Sequence, residues 1–419
     1  MKMGDRAQFP SPRARTILFA VALAVVCACS SCGKKSETEK GAGETKKIIV
    51  RGENVAGTRV KWTLKTPGAG VSHPALGADG TIYIGTSQGV QAVSPEGREI
   101  WQVTYGGAVG PPVVSDDGTL YVESGHGLVF GVSADGKVVW KPQYGLIGFG
   151  FPPALGPGPT LYYVNATSDI YAFQPEQSEK MTWSLETFRE GMIDNTSPLP
   201  GSARKGEGGQ GSPAIVTADG TILVPRQNFL HSISPSGSRQ WDANITTGTL
   251  GIPALGSDGT IYLSGRQGLM AVSPSGEVKW KFDAGVSGSP VVDADGVIYF
   301  TDGRGLFAVD ADGKIKWRYG RLQDPIYLNG PALAADGTIY VGAEFALRAF
   351  RPDGTLKWEQ RVYSPSSSPT IAPDGTVYFA CGFLWLCAVQ GDGGPLMSSS
   401  WPKEFHDVRN TSRYSPESE

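Results

Sequence analysis

The stretch ADGTIYIG, Ala78 to Gly85, returns almost word for word as SDGTIYLSG from Ser257 and ADGTIYVG from Ala335. Looser copies read DDGTLYVES from Asp116, ADGTILVP from Ala218, ADGVIYFTDG from Ala294 and PDGTVYFACG from Pro373. Asp-Gly supplies the positive φ angles that a tight strand-to-strand turn demands. In the extended chain after it, Ile82 and Ile84 face one way and Tyr83 the other, so both faces are apolar. Such a strand must be covered on both sides. The phrase is therefore a unit that cannot stand alone, written many times.

Working outward, each copy opens on a short apolar segment: HPAL (His73–Leu76), PPVV (Pro111–Val114), SPAI (Ser212–Ile215), IPAL (Ile252–Leu255), SPVV (Ser289–Val292), GPAL (Gly330–Leu333) or SPTI (Ser368–Ile371). The turn and central strand follow, then a strand such as GVQAVSP or GLFAVDA, then a strand ending in tryptophan. A degenerate copy, PPALGPGPTLYYV, occupies Pro152 to Val164. Eight copies of four short strands, stacked face to face around a ring, predict an all-β, eight-bladed β-propeller over residues 59–396, with seven blades as the alternative if the degenerate copy is disrupted. Trp101, Trp140, Trp183, Trp241, Trp280, Trp317 and Trp358 recur once per unit. Buried between blades, each would contribute at most about 4–6 kcal/mol of transfer free energy. The last copy has Leu396 in the tryptophan's place, whereas Trp62 has no unit before it. The strand around Trp62 is thus expected to complete the blade begun at Ser368.

Composition agrees: Gly 57 and Pro 30 with only 18% charged residues suit many short strands and turns. The net charge of −3 argues against nucleic acid as a partner. Ahead of the repeats, Arg6, Arg13 and Arg15 precede an apolar run from Ile17 to Val26, the length of a signal-peptide core and too short to span a bilayer. It ends in VVCACSSC, which resembles the lipobox of bacterial lipoproteins. That resemblance implies cleavage after Ala28 and lipidation of Cys29, with Cys32 as the alternative. Ser30 is not the aspartate associated with inner-membrane retention, so the periplasmic face of the outer membrane is the expected location. Residues 29–58 are polar and charge-mixed, a tether reaching roughly 25–30 Å.

The strand pair, Ala-Val, turn and tryptophan at this spacing resemble the pyrroloquinoline-quinone (PQQ)-type repeat. That superfamily includes calcium- and quinone-dependent alcohol dehydrogenases, and also non-enzymatic propellers, among them a lipoprotein subunit of the outer-membrane β-barrel assembly machinery. The dehydrogenases carry an adjacent Cys-Cys pair near the cofactor, and the repeats here have none; Cys381 and Cys387 lie apart, around a Gly382-Phe383-Leu384 turn. An enzyme is therefore not expected, nor a cofactor. In an oxidising compartment Cys381 and Cys387 are candidates for a disulfide across one hairpin, with two buried thiols as the alternative. The tail from Trp401 to Arg413 resembles a segment found at the edge of many bacterial proteins of this type, through Trp401, Pro402, His406, Asp407, Arg409, Thr411 and Arg413. The tail, residues 397–419, packs on the ring or extends from it; this segment is expected to pack over the ring, with a bound ligand as the alternative.

Other motifs fail on context. Gly85-Thr86-Ser87-Gln88-Gly89 matches G-x-S-x-G but sits in a strand-to-strand turn rather than a strand-to-helix elbow. Gly206, Gly208 and Gly211 match G-x-G-x-x-G, yet a strand follows. Asp293 with Asp295 and Asp310 with Asp312 lack the later ligands of a calcium loop. His73, His126, His231 and His406 show no metal-ligand spacing. The long insertion at 184–211 is either a partner-binding loop or an inert one. The expectation is a monomeric, membrane-tethered propeller that binds envelope proteins; catalysis or small-ligand binding in a central channel is the competing class.

Overall fold

The computed structural model describes residues 58–414 apart from 106, 108–109, 125–126, 143–150, 159, 166–168, 179, 186–211, 227, 246–250, 266, 284–285, 287, 303, 321–328, 344 and 408. Within them lie eight antiparallel sheets of four strands each, the blades of a β-propeller. Blade 1 runs outward from the axis as Ala75–Leu76, Ile82–Thr86, Gly89–Val93 and Glu99–Thr104. Blades 2 to 8 begin with the innermost strands Val113–Val114, Ala154–Leu155, Ile215–Val216, Ala254–Leu255, Val291–Val292, Ala332–Leu333 and Thr370–Ile371. The degenerate copy forms a complete blade, so the seven-blade alternative falls away. Blade 8 is finished by Val60–Lys65, which pairs with Trp385–Gln390 and sets Trp62 opposite Ala388. First and last repeats are thereby fastened.

Register explains the repeated phrase. Across blade 1, Ala75, Tyr83, Ala92 and Trp101 form one row. The same row reads Ala254, Tyr262, Ala271, Trp280 in blade 5 and Thr370, Tyr378, Ala388, Trp62 in blade 8. The small residue in the third strand lets the two rings meet above it, with centroids 5.9 Å apart for Tyr83 and Trp101 and 5.9 Å for Tyr262 and Trp280. Blade 2 uses Gly131, where a Cβ would lie 3.1 Å from Trp140 Cβ and 3.4 Å from the Tyr121 ring. Blade 4 departs, with Leu223 and Ser232 in place of tyrosine and alanine.

Each tryptophan then reaches the next blade. Trp62, Trp101, Trp280 and Trp317 donate their indole N–H to the carbonyls of Pro95, Ala134, Ala311 and Pro352, at 2.8, 2.8, 2.6 and 2.7 Å. The acceptors lie in the turn before the neighbour's outermost strand. The rings are less buried than the sequence reading expects: Trp140 alone of the repeat tryptophans is fully buried, at 5% exposure, and the others are half-buried. The outermost strand forms the perimeter and, among the described residues, has no further strand outside it, so a residue there covers its neighbour's turn on one side only. The transfer term is correspondingly smaller, and the hydrogen bond and ring contacts supplement it.

The turn beneath six of the rings, those of Trp62, Trp101, Trp183, Trp241, Trp280 and Trp317, needs glycine twice over. Gly276 has φ +88°, and a Cβ there would lie 2.7 Å from Cε3 of Trp241. Gly296 has φ +76° with nothing within 4 Å of a Cβ. Both alanine variants meet the left-handed cost of about 1 kcal/mol, and only Gly276→Ala adds a clash of roughly 1–3 kcal/mol. Chemical unfolding is expected to rank Gly276→Ala well below Gly296→Ala; equal losses would show that the tryptophan contact is slack.

Candidate functional site: the axial tail

A propeller's innermost strands each leave one backbone edge facing the axis, and an unpaired edge is a liability. Here, among the described residues, the C-terminal tail bonds to five of those edges, on blades 2, 3, 4, 6 and 7. Ala335 N–H donates to Pro395 O at 2.8 Å, Leu333 N–H to Pro402 O at 2.9 Å, and Met397 N–H to Leu333 O at 2.8 Å, all on blade 7. Val292 N–H of blade 6 donates to Trp401 O at 2.8 Å. Further along, Val114, Leu155 and Val216 N–H, of blades 2, 3 and 4, donate to the carbonyls of Arg409, Thr411 and Ser412 at 3.0, 3.0 and 2.8 Å. The tail does more than pack over the ring, as its sequence suggests: it threads among the innermost strands.

Burial follows. Trp401 is fully buried, and Lys403, Phe405, His406, Asn410, Thr411 and Ser412 are buried as well. Trp401 and Phe405 join the core built by blades 4 to 6. The path bends sharply enough to set Phe405, His406, Asn410 and Ser412 at φ of 63°, 73°, 59° and 51°, the non-glycine residues of the described chain with positive φ. Asp407 shapes this bend: its carboxylate accepts Arg409 N–H and Thr411 N–H, each at 3.0 Å, and the Thr411 hydroxyl at 2.9 Å.

Two charged residues sit deep on the axis. The Lys403 ammonium donates to Glu404 O, Asp407 O and Asn410 Oδ1 at 2.6, 3.0 and 2.7 Å, using all three of its protons. Asn410 Nδ2 in turn donates to Pro74 O and Pro112 O, at 3.3 and 3.2 Å, tying the tail to blades 1 and 2. Burial pulls the Lys403 pKa down to about 8, against the pull of Asp407 and Glu404. The Glu404 carboxylate accepts Ser289 Oγ at 2.9 Å, accepts the Ser368 hydroxyl, and lies 3.1 Å from His73 Nε2. It therefore joins the tail to the entries of blades 6, 8 and 1. Burial raises its pKa, but His73 and the two serines outweigh that and hold it down to about 2. His406 is pushed down by burial to about 4 and is neutral at physiological pH.

Serine, histidine and glutamate together invite comparison with a nucleophilic triad, but the order is wrong. A triad places histidine between serine and carboxylate; here the carboxylate is in the middle. A carboxylate held to about 2 is also too weak a base to activate a hydroxyl at neutral pH. The cluster is a clasp.

The other singled-out residues find structural roles. Asp293 accepts the N–H groups of Asp295 and Val297 at 3.0 and 2.8 Å, and Asp310 those of Asp312 and Lys314 at 3.0 and 2.9 Å, as turn-formers do. Among the described residues no group of three His, Cys, Asp or Glu side chains is placed to hold a metal. His231 pairs with Asp242 at 2.7 Å. Ser87 lies in the hairpin turn between Ile82–Thr86 and Gly89–Val93. Cys381 and Cys387 are fully buried and joined by a disulfide, with Cα atoms 6.0 Å apart, beneath an exposed Phe383. His126, Cys29, Cys32, the leader, most of the tether and most of the insertion fall outside the described residues. Lys403, Glu404 and Asn410 were missed in sequence; the only hint was a set of polar residues beside Trp401-Pro402 in a tail too short to form a blade.

The family model of the outer membrane protein assembly factor BamB matches residues 86–145 and 226–401, over half the chain. BamB from Moraxella catarrhalis aligns in structure with a TM-score of 0.58 at 15% identity, covering 76% of this chain and 93% of that one. A computationally designed protein aligns with a TM-score of 0.61 at 8% identity, covering 78% and 98%. At those identities the likeness is one of fold. No curated protein matches the sequence.

Because the Glu404 pKa falls from 4.5 unfolded to about 2 folded, its contribution is complete above pH 4.5 and is lost as pH drops toward 2. Relative to Glu404→Gln, the wild-type chain is expected to be more stable by about 3 kcal/mol at neutral pH, with the gap closing across that window. Urea midpoints of both proteins at a series of pH values check it; a pH-independent gap would mean that shape, not charge, is what Glu404 supplies. For the hairpin, intact mass of the exported protein without reductant is expected to show Cys381 and Cys387 oxidised, and two alkylatable thiols would contradict that.

Proposed function

The chain belongs to the family of the outer membrane protein assembly factor BamB, and from that membership and its filled axis we propose a non-catalytic scaffold of the bacterial envelope. The observation that carries this reading is the tail. Where a ring of strands would offer a central ligand site, this chain places its own Trp401, Lys403, Phe405 and Asn410. Binding then falls to the two faces and their loops, which a rigid ring holds in fixed relative positions. Cys29, or alternatively Cys32, carries the lipid, residues 29–58 form the tether, and the propeller stands off the periplasmic face of the outer membrane as a monomer. Its partners are envelope proteins, and assembly of outer-membrane proteins is the process the family description points to.

Membrane fractionation with Cys29→Ala and Cys32→Ala tests the anchor. Cys29→Ala is expected to move the protein out of the membrane fraction while Cys32→Ala leaves it there; the reverse assigns the lipid to Cys32. Crosslinking in intact cells followed by purification from membranes is expected to recover outer-membrane assembly proteins with the wild-type chain. Recovery of none of them, together with a chromophore and dye reduction after incubation with calcium and quinone, would overturn the scaffold reading.

A further inference from the structure

The repeat breaks in blade 3, where Gly158-Pro159 stands in place of Asp-Gly ahead of Thr160. In other blades the turn aspartate folds back on its own turn, as Asp79 and Asp258 do by accepting the N–H of Thr81 and Thr260 at 3.0 and 2.9 Å. Blade 3 has no such carboxylate. Beside its turn, between blades 2 and 3 and walled by the tail, lies a pocket of about 560 Å³. A Cβ on Gly158 would meet nothing within 4 Å, so this wall is open.

The pocket's charges are unevenly used. Its walls carry the carboxylates of Asp116, Asp117, Glu176 and Asp407 against the guanidiniums of Arg409 and Arg413. Arg409 is occupied by the Asp116 carboxylate and by Asp407, 3.8 Å away. Asp117 accepts Thr119 N–H and its hydroxyl, at 2.9 and 3.0 Å. Among the described residues, Glu176 has no ion-pair partner, and Arg413 has none beyond a 3.2 Å hydrogen bond to Gly156 O. With His406 neutral, the lining is net negative yet keeps one guanidinium uncompensated. Tyr121, in the wall, has its pKa raised by burial and by Asp117 and Glu176, as a negative field requires.

We propose that this pocket binds a small basic zwitterion, a basic amino acid or dipeptide with a free carboxylate. The carboxylate meets Arg413 and an ammonium meets Glu176, and the second positive charge offsets the remaining acids. Charge-assisted hydrogen bonds at both ends fix the direction of the ligand. A simple anion is disfavoured by the four carboxylates, and a simple cation leaves Arg413 unmatched. The pocket shares no lining residue with the Glu404 clasp, so its occupancy is tested separately from the scaffold role.

Titration calorimetry of the full chain with lysyl-lysine tests this, alongside lysyl-lysine amide, which lacks the carboxylate. One saturable site is expected, weakened about tenfold by Glu176→Gln and to a similar degree by amidation of the ligand. Amidation should matter little to Arg413→Gln. Glu176 is exposed and makes no described contact, so its variant keeps the fold even if Arg413→Gln does not. No heat at millimolar lysyl-lysine, equal affinity for the dipeptide and its amide, or a Glu176→Gln variant that binds as wild type would each overturn the proposal.

Discussion

The ring depends on one recurring contact: a tyrosine and a tryptophan from non-adjacent strands meeting over a small residue, with the indole N–H passed to the next blade. Within a blade, the Tyr340 and Trp358 rings approach to 5.7 Å above Ala349. Between blades, the same Trp358 donates to the Asp392 carboxylate at 2.9 Å. A four-stranded unit apolar on both faces has no stability of its own. The tryptophan makes one unit's outer edge the cover of its neighbour's turn, so each blade is completed by the next. Closure uses the same part: Trp62 packs over Gly97 of blade 1, while its strand pairs with Trp385–Gln390 at the other end of the chain.

That architecture was legible because its signals are local. Asp-Gly, the alternation of Ile82, Tyr83 and Ile84, and one tryptophan per unit are all set within a few tens of residues, and an unmatched Trp62 facing an unmatched Leu396 betrayed the closure. The path of the tail among the blades was not legible, for a physical reason. Its backbone bonds run to blades 2, 3, 4, 6 and 7, so its partners lie from about 60 to 300 residues away, as with Leu333 to Pro402 and Val114 to Arg409, and no period records them. Counting edges would have helped. Eight innermost strands leave eight axial edges, and a buried edge without a partner is costly. The polar residues around Trp401 were the available cover.

The filled axis is the observation that supports the proposed scaffold reading over a central-channel site. Ring proteins that act on small molecules need an accessible cavity with convergent polar groups. Here the convergent polar groups, Lys403, Glu404 and Asn410, are spent on one another and on the carbonyls and hydroxyls of the surrounding blades. The polarity that remains uncommitted has moved off the axis to the gap between blades 2 and 3, where the repeat itself is broken. Regularity and availability are thus inversely related in this chain. Where the phrase is intact, the turn carboxylate holds its own turn, as with Asp79, Asp258 and Asp374.

The tail and the ring hold each other in unequal ways. Four non-glycine residues in left-handed conformations cost on the order of 1 kcal/mol each. Such a path persists only where its surroundings over-determine it, and the backbone bonds to blades 2, 3, 4, 6 and 7 do so, each contributing about 1 kcal/mol net. Outside the ring the tail has no reason to keep this shape. Inside it, the shape is fixed to within a hydrogen bond at every second or third residue. Asp407, Arg409 and Arg413 therefore face the inter-blade pocket from a backbone bonded to the blades around it. A segment that looks like an appendage in sequence is the best-positioned polar surface of the molecule, because the sheet edges that need covering are also what aim it.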